Sequence, residues 1–132
     1  MMASIMDSAR RRVLVVDDDS DCADSLSDLV SCLGAEPFVV HSGAAALEAL
    51  RHFRPHVVLL DIGMPVMDGC ETARRMRACD EGRDLLLIAL TGWGRPEDRA
   101  RSREAGIDHH MVKPGDIDLL AELLFASTST AV

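Results

Sequence analysis

Four carboxylates follow directly after an apolar run near the start of the chain. In the segment VLVVDDDSD, residues 13–21, aliphatic side chains lead into Asp17, Asp18 and Asp19, and Asp21 comes two positions later. Two carboxylates about 4 Å apart repel each other by roughly 4 kcal/mol at an effective dielectric near 20, so something must offset their charge. A helix N-terminus can stabilise part of it, and a bound divalent cation can stabilise more.

Polar side chains also follow the later apolar runs of the sequence. Asp61 ends the run VVLLD, Thr91 ends LIALT, and Lys113 follows HHMV. In parallel sheets, ligands bind beyond the carboxyl ends of the strands. If the first strand lies between the second and the third, Asp17, Asp18 and Asp61 converge at one edge. Thr91 and Lys113 then complete the rim of a site that combines carboxylates, a hydroxyl and an ammonium group.

This combination of side chains suits phosphoryl transfer. Carboxylates favour a hard cation such as Mg²⁺, and a carboxylate held beside a cation and an ammonium group can attack phosphorus. Lys113 is the only lysine among the 14 lysines and arginines of the chain, which indicates that a compact ammonium group is needed there. Asp19 and Asp21 are predicted instead to cap and charge the N-terminus of the following helix.

The spacing of apolar residues predicts the scaffold. Five apolar runs are near-continuous rather than alternating, which favours parallel strands covered on both faces. They are Val13–Val16, Phe38–Val40, Val57–Leu60, Leu85–Leu90 and the shorter Met111–Val112. Stretches with helical spacing lie between and after them: residues 23–33 before Gly34, Ala44–Phe53 capped by Ser42, Gly69–Ala78 after Asp68, Glu97–Ala105 after Pro96, and Ile117–Phe125. This order predicts an α/β fold, a doubly wound parallel sheet of five strands with helices on both faces.

Length and composition limit the class of protein. A chain of 132 residues predicts one domain, which we place at residues 12–126 between a flexible leader, residues 1–11, and a disordered tail, residues 127–132. The net charge of −8 and an aromatic content of 3% disfavour direct binding to nucleic acid. The apolar runs are too short for membrane insertion and the leader does not resemble a secretory signal, so we expect a cytoplasmic protein.

Four motifs, taken in order, resemble the receiver domain of two-component response regulators. They are VLVVDDD, VVLLDIGMPVMDG, LTG and VKP. The resemblance implies a flavodoxin-like sheet with the strand order 2-1-3-4-5. It implies a histidine kinase or a histidine phosphotransfer protein as the partner, and it is compatible with a homodimer through the last strand and helices. The stretch LTGWG…AGIDHHMVKP is also similar to receivers of hybrid histidine kinases, so the chain is either a stand-alone regulator or such a receiver module.

The resemblance also implies a role for each site residue. Asp61 would be the phosphoacceptor, and Thr91 and Lys113 would contact the phosphoryl group. The ligands of Mg²⁺, or of Mn²⁺, would be Asp17, Asp18, Asp61 and the main-chain oxygen of Gly63. Phosphorylation of Asp61 and its slow reversal would be the only reactions, without turnover of a separate substrate. His110 stands where this family often has Tyr or Phe, which puts the usual aromatic switch in doubt.

Two other classes of protein share part of this pattern. A phosphatase similar to the haloacid dehalogenase family would use Asp17 as the nucleophile, with Thr91 and Lys113 in later motifs. However, Asp21 stands where that family has Thr or Val, and no second acidic pair follows a later strand at the right spacing. A third hypothesis is a binding module that is never phosphorylated. The intact set of Asp, Thr and Lys side chains argues against it.

Overall fold

The computed structural model describes residues 11–61, 69–91, 100, 103–112, 120–122 and 124, with the side chains of Thr91 and Val112 excepted. In chain order its elements are β1 Arg12–Val16, α1 Ser20–Cys32, β2 Glu36–Val40, α2 Gly43–Phe53, β3 Val57–Asp61, α3 Gly69–Ala78, a 3₁₀ turn Asp80–Gly82, β4 Leu86–Thr91 and β5 His109–Val112. Residues 100 and 103–104 are helical, as are 120–122 and 124. No helix in this described part of the chain is long and apolar enough to cross a membrane.

The strands form one parallel sheet in the order β2-β1-β3-β4-β5, which confirms the predicted fold. One face carries α2 and α3, whose residues Ala46, Leu50 and Met76 pack against Leu14 and other side chains of that face. The opposite face of the sheet carries α1 and the helical residues 120 and 124. Helices therefore cover both faces of the central strands, and this is why β1 and β3 are apolar at almost every position.

The edge strand β2 is covered less completely than predicted. Phe38 is 45% exposed, and it stacks on Phe53 at the end of α2 with ring centroids 5.2 Å apart. The strand also begins two residues earlier than predicted, because the N–H of Glu36 donates to the carbonyl of Arg11 and extends the pairing with β1. Pro37 is tolerated in this strand because an edge strand has positions whose N–H groups are not needed by a neighbour.

The ends of the other elements were only partly predictable. Asp19 and Ser42 are the N-caps of α1 and α2, as predicted: the Asp19 carboxylate accepts from the N–H groups of residues 21 and 22, and the Ser42 hydroxyl accepts from that of Ala45. Gly34 has a φ of 94° directly after α1, which suits its predicted role as a stop. In contrast, β4 lies one residue later than predicted, and β5 begins two residues earlier, at His109.

Several sequence predictions lie outside the described residues. These include the cap Asp68, the first-turn residue Pro96, and the limits assigned to the leader and the tail. The helical residues 100 and 103–104 fall within the predicted helix Glu97–Ala105, and residues 120–122 and 124 fall within Ile117–Phe125. The full extent of these two helices stays a prediction.

His56 joins the beginnings of β1 and β3. Its ring atom Nδ1 accepts from the main-chain N–H of Arg12 at 3.0 Å. The main-chain N–H of His56 donates to the carbonyl of Arg12 at 2.8 Å. Burial lowers the pKa of His56, and the charges of Arg12 and Arg11 lower it further. A neutral ring keeps Nδ1 available as an acceptor, so the form that the environment favours is also the form that holds the two strands.

Arg77 clamps three segments of chain together at the opposite end of the sheet from the strand carboxyl ends. Its guanidinium group donates to the carboxylate of Asp108 at 2.9 Å, and this carboxylate also accepts from the N–H of Leu87 at 2.9 Å. The guanidinium group of Arg77 also donates to four carbonyl groups, those of Gly82, Arg83, Leu85 and Gly106. The Arg77 side chain is only 22% exposed, and its bonds to the carbonyl groups of residues 82, 85 and 106 are part-buried, so these carbonyl groups depend on Arg77 more than on water.

We expect Arg77→Met to lower the free energy of unfolding by about 2–4 kcal/mol, because it retains an apolar chain but removes every donor. Arg83→Met is the matched control. Its ion pair with Asp80 is shorter, at 2.7 Å, but the two side chains are 69% and 90% exposed, so we expect a loss below about 1 kcal/mol. Urea unfolding measures the free energy of unfolding of both variants. Equal losses of stability would contradict the special role of the Arg77 hydrogen bonds.

Candidate functional site

Three carboxylates meet where β1 and β3 end. Val16 pairs with Leu60 in the sheet, so Asp17 and Asp61, the residues that follow, lie side by side at the same edge. Asp18 comes next in the chain. Oxygen atoms of Asp17, Asp18 and Asp61 all lie within 4.8 Å of one another. The structure therefore brings together the three acidic residues that the sequence analysis selected.

The cluster is largely buried, which intensifies its electrostatic repulsion. Asp17 is fully buried and Asp61 is 9% exposed, whereas Asp18 lies at the surface. A pair of charges at this separation repels by roughly 1 kcal/mol in water and by about 3–4 kcal/mol at an effective dielectric near 20. Three oxygen donors in such a small space are the kind of ligand set that hard divalent cations require. The donor set therefore fits Mg²⁺ or Mn²⁺.

Asp17 is held by its main chain as well as by its side chain. Its N–H donates to the carbonyl of Val40 at 3.1 Å, and its carbonyl accepts from Nδ1 of His41 at 2.9 Å. Its Oδ1 accepts from the N–H of Asp19 at 3.0 Å. These contacts fix the first carboxylate of the cluster relative to both β2 and the start of α1.

The acidic run after β1 divides into two functions. Asp17 and Asp18 belong to the cluster, whereas the Asp19 carboxylate accepts from the N–H groups of Asp21 and Cys22 as the cap of α1. Asp21 lies in the first turn of α1, where a negative charge interacts favourably with the helix dipole. The structure thus confirms Asp19 as the cap of α1 and places Asp17 and Asp18 together with Asp61.

The remaining predicted site residues lie at the same edge or outside the described residues. Thr91 is the last residue of β4, and its predecessor Leu90 pairs with Asp61, so its backbone lies beside the cluster. Gly63 and Lys113 lie outside the described residues, as does the side chain of Thr91. The roles assigned to these three residues stay predictions.

His41 was not predicted to have a role, although it is the first polar residue after the second apolar run. The structure places its ring against the main chain of Asp17. The available signal was its position: β2 is the neighbour of β1, so a polar residue at the end of β2 lies close to any site at the end of β1. What the sequence did not show is that the contact is made to a carbonyl oxygen.

Comparison with known proteins gives the family. The model of the response regulator receiver domain matches residues 13–125. The chain belongs to this family. Receiver domains are modules of two-component signalling systems that interact with histidine kinases, and the predicted resemblance is therefore confirmed. Membership of this family decides against the phosphatase alternative.

Individual relatives agree with this assignment. The receiver domain is 41% identical over 113 residues to the transcriptional regulatory protein PrrA of Mycobacterium tuberculosis, covering 86% of this chain and 46% of PrrA. The chain thus spans about half the length of the curated relative that it matches. Among solved structures, the Vibrio cholerae chemotaxis protein CheY4 is 27% identical, with a TM-score of 0.84 over 89% of this chain and 98% of CheY4.

A receiver domain from a histidine kinase is also similar to this one. The receiver of the Pseudomonas aeruginosa sensor histidine kinase PA1611 is 28% identical, with a TM-score of 0.81 over 89% of this chain and 97% of that one. That structure is described with a magnesium ion coordinated in its active-site cleft. A chemotaxis protein and a receiver domain of a histidine kinase thus share this fold.

The crowding of carboxylates generates a stability prediction for the metal-free receiver domain. We expect Asp18→Asn to raise the free energy of unfolding in EDTA by about 1 kcal/mol or more, because it removes one of the mutually repelling charges. Asp24→Asn, at an exposed position of α1, removes the same charge outside the cluster and should have a smaller effect. Urea unfolding of both variants in EDTA provides the measurement, and a less stable Asp18→Asn would show that the cluster is not repulsive.

Proposed function

We propose that this receiver domain accepts a phosphoryl group from a phosphohistidine onto Asp61 in a Mg²⁺-dependent reaction, and that the modification shifts its conformation. The observation that carries the proposal is the meeting of Asp17, Asp18 and Asp61 within 4.8 Å at the ends of two neighbouring central strands. Phosphoryl transfer depends on positioning and on charge neutralisation. The carboxylate cluster at the ends of β1 and β3 would position the nucleophile and would hold the cation that supplies the neutralisation.

The proposed ligands of Mg²⁺, or of Mn²⁺, are the carboxylates of Asp17, Asp18 and Asp61 and the main-chain oxygen of Gly63. When bound, the cation neutralises negative charge on the carboxylates and on the phosphoryl oxygens. The protein's contribution is to hold the carboxylates in place before the donor arrives. Asp17 has its N–H, its carbonyl and one carboxylate oxygen engaged by neighbouring groups, so its position is set by the fold.

Asp61 is the proposed nucleophile of the reaction. One of its carboxylate oxygens forms a bond to phosphorus while the bond between phosphorus and the donor imidazole nitrogen breaks, and the imidazole leaves with its electron pair. The product is an aspartyl phosphate. We assign to the hydroxyl of Thr91 and the ammonium of Lys113 the task of donating hydrogen bonds to the phosphoryl oxygens. Hydrolysis of the aspartyl phosphate by water then returns the domain slowly to its starting state.

The partner and the setting of the domain are part of the same proposal. The donor is a histidine kinase or a histidine phosphotransfer protein, and the domain acts in the cytoplasm as a stand-alone regulator or as the receiver of a hybrid histidine kinase. We propose no direct contact between this domain and nucleic acid. The name of PrrA, a transcriptional regulatory protein, makes gene regulation the output to test in the full-length protein. Self-association would use the last strand and helices.

We expect Asp61→Asn to abolish phosphoryl uptake, because an amide oxygen is a much poorer nucleophile than a carboxylate. The protein is incubated with acetyl phosphate and Mg²⁺, and its intact mass is followed for the addition of one phosphoryl group. EDTA should prevent the addition to the wild-type protein.

Asp19→Asn is the matched control for this experiment. It makes the same change of group two residues from Asp17, and asparagine remains a good helix cap, so labelling should be largely retained. Peptide mapping of the labelled wild-type protein should place the phosphoryl group on Asp61. Equal labelling of Asp61→Asn at another aspartate would refute the assignment of the phosphoacceptor.

A further inference from the structure

The carbonyl of Asp17 receives a hydrogen bond from a side chain at the point where the pairing between β1 and β2 ends. The N–H of Asp17 donates to the carbonyl of Val40, as in a regular parallel ladder. In a ladder that continued, the carbonyl of Asp17 would next accept from the amide two residues beyond Val40, which is that of Ser42. However, β2 ends at Val40, and Ser42 is the N-cap of α2. Here the ring of His41 reaches the Asp17 carbonyl at 2.9 Å.

The chemistry of this contact fixes the donor. A carbonyl oxygen carries no proton, so Nδ1 of His41 must donate and therefore carries a hydrogen atom. The ring thus supplies, from a side chain, the kind of bond that the main chain of the next strand supplies elsewhere in the sheet. It does so at the peptide group that joins the first two residues of the carboxylate cluster.

The consequence for the cluster follows from peptide geometry. The carbonyl of Asp17 and the N–H of Asp18 belong to one planar peptide group, so a bond that fixes the direction of the carbonyl also fixes the plane that leads to Asp18. Rotation of this plane is the simplest way for the two carboxylates to move apart under their mutual repulsion. Asp18 lies at the surface, where little packing opposes such a rotation.

We propose that His41 is a positioning residue of the phosphorylation site, which holds the Asp17–Asp18 peptide so that both carboxylates are placed for the cation before it binds. This inference rests on the function proposed above, since it concerns the same cation site. His41 binds neither the cation nor the phosphoryl group. It acts through the main chain, by lowering the cost of assembling ligands that repel each other.

Substitution of His41 separates this role from general stability. His41→Ala removes the donor and should weaken Mg²⁺ binding by about threefold to tenfold, the effect of one hydrogen bond on an equilibrium constant. The side-chain amide of Asn stands the same number of bonds from Cβ as Nδ1 does, so His41→Asn should restore the affinity. The amide of Gln stands one bond farther away, so His41→Gln should bind as weakly as His41→Ala. His52→Ala, at an exposed position of α2, is the control for loss of an imidazole.

The experiment combines calorimetric titration with Mg²⁺ and the initial rate of labelling by acetyl phosphate as a function of Mg²⁺ concentration. In His41→Ala the half-saturating Mg²⁺ concentration should rise by the same factor as the dissociation constant, while the labelling rate at saturating Mg²⁺ stays within about twofold of wild type. A purely structural role would lower the free energy of unfolding in EDTA without changing the Mg²⁺ affinity of the folded protein.

The outcomes are distinguishable from one another. Weaker binding by the Ala and Gln variants with recovery in the Asn variant supports the proposal. Wild-type affinity in His41→Ala overturns it, whatever happens to stability, and so does a failure of Asn to restore binding. A wild-type protein that neither binds Mg²⁺ nor becomes labelled overturns the proposed function and this inference with it.

Discussion

The mutual repulsion of three carboxylates, held at the ends of two neighbouring buried strands, is the constraint on which the rest of this structure depends. Asp17, Asp18 and Asp61 would separate in a flexible chain, because each pair costs on the order of 1 kcal/mol or more. The four valine and leucine side chains of β1 from Val13 to Val16 are fully buried, and burial of each stabilises the fold by roughly 1.5–3 kcal/mol. Burial of the strands therefore outweighs the repulsion at their ends.

Main-chain groups around the cluster reduce this cost. The N–H of Asp19 donates to the Asp17 carboxylate, and α1 begins immediately afterwards, so the positive end of its dipole lies near the negative charge. A bound divalent cation would offset the mutual repulsion of the three carboxylates further. A site assembled by the fold before its ligand arrives gives up stability in return for affinity, as functional sites often do.

The sequence predicted the parts of the fold that follow from burial. Central strands covered on both faces are continuous apolar runs, so β1 and β3 were located to within one or two residues, and Asp17 and Asp61 were placed correctly at their ends. The edges of the sheet followed other rules. At β2, Phe38 stays 45% exposed although it stacks on Phe53. At β5, two histidines begin a strand because they pair with β4, an effect of tertiary structure that local propensity does not contain.

Long-range polar contacts could not be predicted from the sequence for a similar reason. In sequence, Arg77 does not differ from Arg74 and Arg75, the exposed arginines of α3; only folding places Gly106 and Asp108 beside it. His41 is likewise an ordinary residue after a strand until β2 pairs with β1. A family resemblance supplied the roles of Asp61, Thr91 and Lys113, which spacing alone left open between a receiver and a phosphatase. Family membership then decided between them.

The most direct test of this account is a crystal structure of the protein grown with Mn²⁺ and beryllofluoride, in which anomalous scattering locates the cation. The account predicts a single strong peak within coordination distance of the carboxylate oxygens of Asp17, Asp18 and Asp61, with beryllium bonded to the remaining oxygen of Asp61. A peak elsewhere on the protein, or an empty cluster at a Mn²⁺ concentration that saturates binding in solution, would contradict it.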